Sequence, residues 1–92
     1  MSKSIWKFEL KIDTDFTIEM PKGASVLSAQ AQKETICIWA IVDTEAEKEK
    51  RTFEVYGTGH DLPSDIEKDR MLIGTVQLMG GALIFHVFEK LN

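Results

Sequence analysis

The feature that most constrains this chain is a period of two in its apolar residues, broken at short intervals by turn residues. Trp6, Phe8, Leu10 and Ile12 alternate with Lys7, Glu9 and Lys11, and Phe16, Ile18 and Met20 alternate with Thr17 and Glu19. Successive side chains on a strand point to opposite faces, so each run offers one face to a core and one to water. On a helix the same residues would scatter around every side. Asp13-Thr14-Asp15 separates the runs and predicts a hairpin between them. Pro21-Lys22-Gly23 ends the second run, because proline presets one turn angle and glycine accepts positive φ.

The rest of the chain continues in the same way. Residues 24–32 read as a third strand: the alanines and glutamines would suit a helix, but Gly23 and Lys33-Glu34 bracket only a short run. Residues 35–42 are apolar on both faces, with Ile36, Ile38, Ala40 and Val42 on one and Cys37, Trp39 and Ile41 on the other. Such a run belongs to a central strand covered on both sides, or to an interface between copies. A charged hairpin loop or ribbon tip follows at 43–50. Residues 52–56 resume the strand, Phe53 and Val55 against Glu54 and Tyr56. After a glycine-rich corner at 57–63, residues 64–70 suit one short helical turn with Ser64 as N-cap. Two last strands, 71–79 and 82–90, turn at Gly80-Gly81. The expectation is a single all-β domain over residues 1–92, a small antiparallel sandwich or barrel of about seven short strands.

Bulk properties narrow the function classes. A chain of 92 residues with 43% hydrophobic and 28% charged residues is an ordinary folded domain with a modest core, which a homodimer or higher homo-oligomer would extend. The single cysteine, Cys37, excludes an internal disulfide and suits a reducing compartment. No apolar stretch approaches the roughly 20 residues of a membrane span, and no signal core follows Met1-Ser2-Lys3-Ser4. A cytoplasmic site without membrane contact is expected. The net charge of −4 offers no basic stripe for duplex nucleic acid, since Lys48, Lys50 and Arg51 are interleaved with Glu45, Glu47 and Glu49. That stretch is either a solvated tip or a contact for a protein partner.

Few residues suggest chemistry. Gly57-Thr58-Gly59-His60 could form a nest of N–H groups for a phosphate or carboxylate, with Thr58 and His60 adding donors. Its alternative is a tight corner or bulge requiring positive φ at both glycines. His86 alternates with Ile84 and Phe88, and is either a satisfied core or interface histidine or a second ligand contact. Trp39 is either buried beneath a second sheet or part of an exposed apolar patch with Cys37 and Ile41. Two histidines and one cysteine match no zinc spacing. Ser28 and Cys37 lack the context of a nucleophile, and the carboxylates lie on wet faces and turns. No catalytic residue, metal or cofactor is assigned.

The ordered set Trp6-x-Phe8-x-Leu10, Met20-Pro21-x-Gly23-Ala24-x-x-Leu27-Ser28-x-Gln30-x-Gln32, Trp39-Ala40-x-Val42-Asp43, Gly57-Thr58-Gly59-His60, Gly74-Thr75 and Phe85-His86-Val87-Phe88-Glu89 resembles a family of small proteins of bacteriophages and prophages. The resemblance spans nearly the whole chain and carries no activity over to particular residues. It implies an accessory protein in the bacterial host cytoplasm, of a kind that often blocks host enzymes or defence complexes or sequesters nucleotide signals. The leading expectation is therefore a non-catalytic binding protein that counters a host function. It would engage a host protein, or a small anionic, nucleotide-like ligand at Gly57, Thr58, Gly59 and His60, with Trp39 and His86 as second choices. A virion structural or assembly component is the alternative. A phosphodiesterase-type enzyme dependent on His60 or His86 is the third.

Overall fold

A computed structural model describes residues 2–91. The described residues form seven strands, β1 (Lys3–Glu9), β2 (Phe16–Pro21), β3 (Ser25–Gln32), β4 (Thr35–Asp43), β5 (Lys48–Gly57), β6 (Arg70–Leu78) and β7 (Leu83–Lys90). A single helical turn, α1 (Ile66–Asp69), precedes β6, and a 3₁₀ turn at Met79–Gly81 joins β6 to β7. The strands make two antiparallel sheets, one in the order β1-β4-β3 and one in the order β2-β5-β7-β6. The fold is thus small and all-β, with seven strands, as the alternation requires.

The first two strands do not form the expected hairpin. β1 pairs with β4, while β2 pairs with β5 in the other sheet. The chain crosses between the sheets at 10–15. Leu10 N–H still donates to Ile36 of the first sheet at 2.8 Å, and Asp13 C=O already accepts from Val55 of the second at 2.8 Å. Leu10 is buried at the crossing, whereas Ile12 is exposed and belongs to no strand. Period two identifies a strand; it does not identify the neighbour.

The charged segment at 43–50 is not a ribbon tip either. Asp43 closes β4, and 44–47 carry the chain to the opposite sheet, where Lys48, Glu49, Lys50 and Arg51 open β5 opposite Pro21, Met20, Glu19 and Ile18. The carboxylate of Asp43 accepts the Glu45 N–H at 3.0 Å and fixes this turn. Near α1, Ser64 is not the N-cap: Asp65 occupies that position, without a capping side-chain bond.

The inner faces of the two sheets supply the core. Ile36, Ile38, Ala40 and Val42 of β4 meet Met20, Phe53, Val55 and Val87, and Trp6, Phe8, Phe16 and Ile18 lean on this cluster from the edge strands. Burial of each such large apolar side chain is worth about 1.5–3 kcal/mol before entropy is counted. β3 and β6 lie against each other at one edge, and both are irregular there, β3 between Val26 and Ser28 and β6 between Leu72 and Gly74.

Glu54 and Glu89 lie buried, contrary to the expectation that carboxylates stay on wet faces. Each is answered by an arginine distant in sequence. Arg51 holds Glu89 bidentately, Nε donating to Oε2 at 2.5 Å and Nη2 to Oε1 at 3.0 Å, while Nη1 donates to the Ala24 carbonyl at 2.8 Å. The hydrogen bond to Glu89 raises the pKa of Arg51 above its ordinary value. Arg70 donates to Glu54 at 3.0 Å and also pairs with Asp65 and Asp69, tying α1 to the outer side of the four-stranded sheet. Among the described residues no buried side-chain polar atom is left unpaired.

Candidate functional site

The glycine corner begins where β5 leaves the sheet. Gly57 still pairs with Phe85, and the chain then folds back, His60 N–H donating to the Gly57 carbonyl at 3.1 Å. Gly59, third in this turn, has φ +89°, a conformation that a side chain makes costly. Gly57 is different. Its φ is not positive; the His60 ring lies on it, and a Cβ there would meet the imidazole at 3.0 Å and displace it. Positive φ is therefore required at only one of the corner's two glycines.

Two of the corner's amides are already committed. Thr58 N–H donates to the Ile84 carbonyl at 3.2 Å, and His60 N–H is committed to Gly57. Neither is free to cradle an anion. The Thr58 hydroxyl instead meets His86 Nε2 at 2.7 Å, while Thr75 Oγ1 meets Nδ1 at 3.0 Å. The imidazole of His86, half-buried on β7, is held at both nitrogens between a corner residue and a β6 residue. A neutral ring can donate at one nitrogen and accept at the other, and a hydroxyl can take either role.

Two shallow depressions flank this corner. One, of about 290 Å³, is lined by Leu62, Leu72 and Phe88 as well as Tyr56, His60 and His86. The other, of about 250 Å³, lies on the opposite flank between His60 and residues 82–85. Leu62, Leu72 and Phe88 also border a wider hollow of about 600 Å³ reaching Ile66 and Arg70, so the first depression continues as a groove along the outer sheet face. Leu62, Leu72, Leu83 and Ile84 are all substantially exposed. Leu62, Leu72, Phe88 and Ile66 give the groove an apolar lining, with the two imidazoles at one end and Glu67 and Arg70 at the other.

Tyr56 forms the floor. Its hydroxyl donates to Glu54 Oε1 at 3.0 Å, and its ring meets Phe88 edge-on at 6.0 Å between centroids. Burial first, and then the bond to the Glu54 carboxylate, push the phenol up to about 12. Arg70, whose side chain is 6% exposed, lies beneath the hollow and is paired with Glu54, Asp65 and Asp69.

Of the residues singled out in the sequence, Gly57, Thr58, Gly59, His60 and His86 are brought together here. Trp39 is not. It sits on the outer face of the other sheet, opposite Lys7 and Ser28, and is only half-buried. Ile41 shares that face with the exposed Ile5, so β4 is not covered on both sides. Cys37 is nonetheless buried, and this burial raises its thiol pKa. The charged residues separate: Glu45, Glu47, Lys48 and Lys50 are exposed, whereas Glu49 accepts from Gly23 N–H at 3.1 Å and Arg51 belongs to Glu89.

Leu62, Leu72 and Phe88 were not selected by sequence reasoning. Their signal was present but faint: a leucine inside the polar stretch 57–70, and an aromatic two positions from His86 on the same strand face. Among the described residues, no three His, Cys, Asp or Glu side chains are grouped to hold a metal ion, and no helix is long and apolar enough to cross a membrane.

No curated protein and no solved structure matches the chain. A family profile does, over residues 1–92, and the chain accordingly belongs to the family described as "Domain of unknown function (DUF7352)".

Proposed function

We propose that this domain is a non-catalytic binding protein that engages a protein partner through the groove running from the glycine corner to α1. The observation that carries this is the mismatch between polar and apolar groups at the site. Two of its polar side chains are already engaged, His86 between Thr58 and Thr75 and Arg70 with three carboxylates, while Leu62 and Leu72 are left in water. Exposed apolar surface of this kind gains free energy when a partner covers it. A small anionic ligand is less well served, because two corner amides are committed and Arg70 beneath the hollow is paired with carboxylates. The biological setting in keeping with the whole-chain motif set is a phage or prophage accessory protein in the bacterial cytoplasm, acting against a host protein.

A charge placed in the groove tests this. Leu72 is 57% exposed, so Leu72→Lys leaves the core intact. Immobilised wild-type protein should retain a bacterial polypeptide from lysate that Leu72→Lys does not. Equal retention by both would place the contact elsewhere.

A further inference from the structure

The four sheet edges of this domain are not equally protected. β3 and β6 are irregular and lie against each other. β2 ends in Pro21, and it also carries Glu19. Prolines, charges and bulges are the usual means of blunting an edge. β1 has none of the first or last: all seven of its residues pair with β4 in unbroken register, and its other edge has no strand beside it among the described residues.

The direction of its free backbone groups follows from the flanking bonds. Thr44 N–H donates to Ser2 at 2.9 Å and Leu10 N–H to Ile36 at 2.8 Å, so the even-numbered residues of β1 form the hydrogen-bonded pairs with β4. Antiparallel ladders alternate bonded and non-bonded pairs. The N–H and C=O groups of Lys3, Ile5, Lys7 and Glu9 therefore point to the open edge. The lysine best placed to guard it is drawn away: Lys7 Nζ reaches over β4 to Gln32 Oε1 at 2.8 Å.

From this edge we infer that β1 pairs antiparallel with β1 of a second copy, about a two-fold axis at Trp6, to give a dimer with one continuous six-stranded sheet. Trp6 is the middle residue of Lys3–Glu9, so this register alone overlaps the whole strand. It sets Lys3 opposite Glu9 of the second copy, and Glu9 opposite Lys3, on the solvent face. Ile5 then faces the aliphatic stem of Lys7, and each such pair exchanges both of its backbone hydrogen bonds. Trp6 faces its own counterpart at a non-bonded position, where cross-strand side chains approach most closely. Slipping the centre to Ile5 would put Lys3 against Lys7, and slipping it to Lys7 would put that lysine against itself. Charge complementarity thus selects both the occupant and the register. Pairing would also bring the two exposed Ile5 and Trp39 faces into one surface, distinct from the groove.

Sedimentation velocity over a concentration series tests this on the full chain. Lys3 and Glu9 are both exposed, so changes there spare the core. Wild type should self-associate to a dimer. Lys3→Glu should weaken the dimer about tenfold or more, because two attractive pairs become repulsive. Glu9→Lys should do the same, and the double variant Lys3→Glu/Glu9→Lys should restore the dimer. Circular dichroism of each variant verifies that the fold is retained. A wild type that stays monomeric into the millimolar range overturns the proposal. So does a dimer indifferent to Lys3→Glu, or one that the double variant fails to restore.

Discussion

The Thr58 hydroxyl lies 2.7 Å from His86 Nε2, a bond that fastens the glycine corner to β7. It turns a loop with few other ties to the sheet into a fixed wall of the groove. Removing it strands a ring nitrogen that is partly withdrawn from water. Thr58→Val should cost about 1 kcal/mol of stability by urea unfolding, with Thr75→Val similar. No change in either would mean that water replaces the hydroxyls without loss.

Gly57 and Gly59 should respond differently to substitution. At Gly57 a methyl group meets only the tip of His60, an exposed side chain that can swing aside. Gly57→Ala should leave the unfolding midpoint nearly unchanged while weakening retention of the partner, because the ring moves off the groove. At Gly59 nothing obstructs a side chain, but the backbone sits at φ +89°. Gly59→Val should cost about 1–2 kcal/mol through conformational strain. The reverse pattern would contradict the assigned roles.

Arg51 and Glu89 form the ion pair that joins β5 to β7, and Arg51 also holds Ala24, the residue before β3. The Glu89 side chain is 5% exposed and depends on this partner. Arg51→Met leaves a buried carboxylate without its cation, and the domain should lose about 3 kcal/mol or more. Replacing both residues by apolar ones should recover much of that. A single variant as stable as wild type would show that the carboxylate finds water.

Tyr56 gives a pH-dependent signature, easily followed because it is the only tyrosine in the chain. Its folded pKa is raised from 10.0 to about 12, so between these values the folded state holds a proton that the unfolded state has lost. The corresponding stability is fully present below pH 10.0 and disappears as the pH climbs through about 12. Tyrosinate absorbance should titrate late, and Glu54→Gln should bring it earlier by removing the carboxylate beside the phenol. Titration at the ordinary value in the folded protein would place Tyr56 in water.

Much of the fold was legible because strand alternation is a local property. The alternation of Trp6 with Phe8, the bracket of Gly23 and Lys33-Glu34, and the Gly80-Gly81 turn each mark a strand or its end within a few residues. Pairing is not local. Nothing between Leu10 and Asp15 shows that the chain changes sheets there, because the partners that decide it, Ile36 and Val55, are far along the sequence. The buried carboxylates were hidden for the same reason, since Glu54 is acceptable inside only because Arg70 reaches it. At the site, the glycines and histidines were visible by residue type. The groove depends on Leu62, Leu72 and Phe88 meeting from a loop and two strands, which no short window of sequence contains.

The most direct test of the binding role is native mass spectrometry of the wild-type protein after incubation with bacterial lysate divided into a small-molecule filtrate and a protein fraction. Engagement of a protein through the groove predicts a stoichiometric host polypeptide from the protein fraction, lost in Leu72→Lys, and no adduct from the filtrate. A stoichiometric small-molecule adduct from the filtrate, with no polypeptide retained, would contradict it and make this a ligand-sequestering protein.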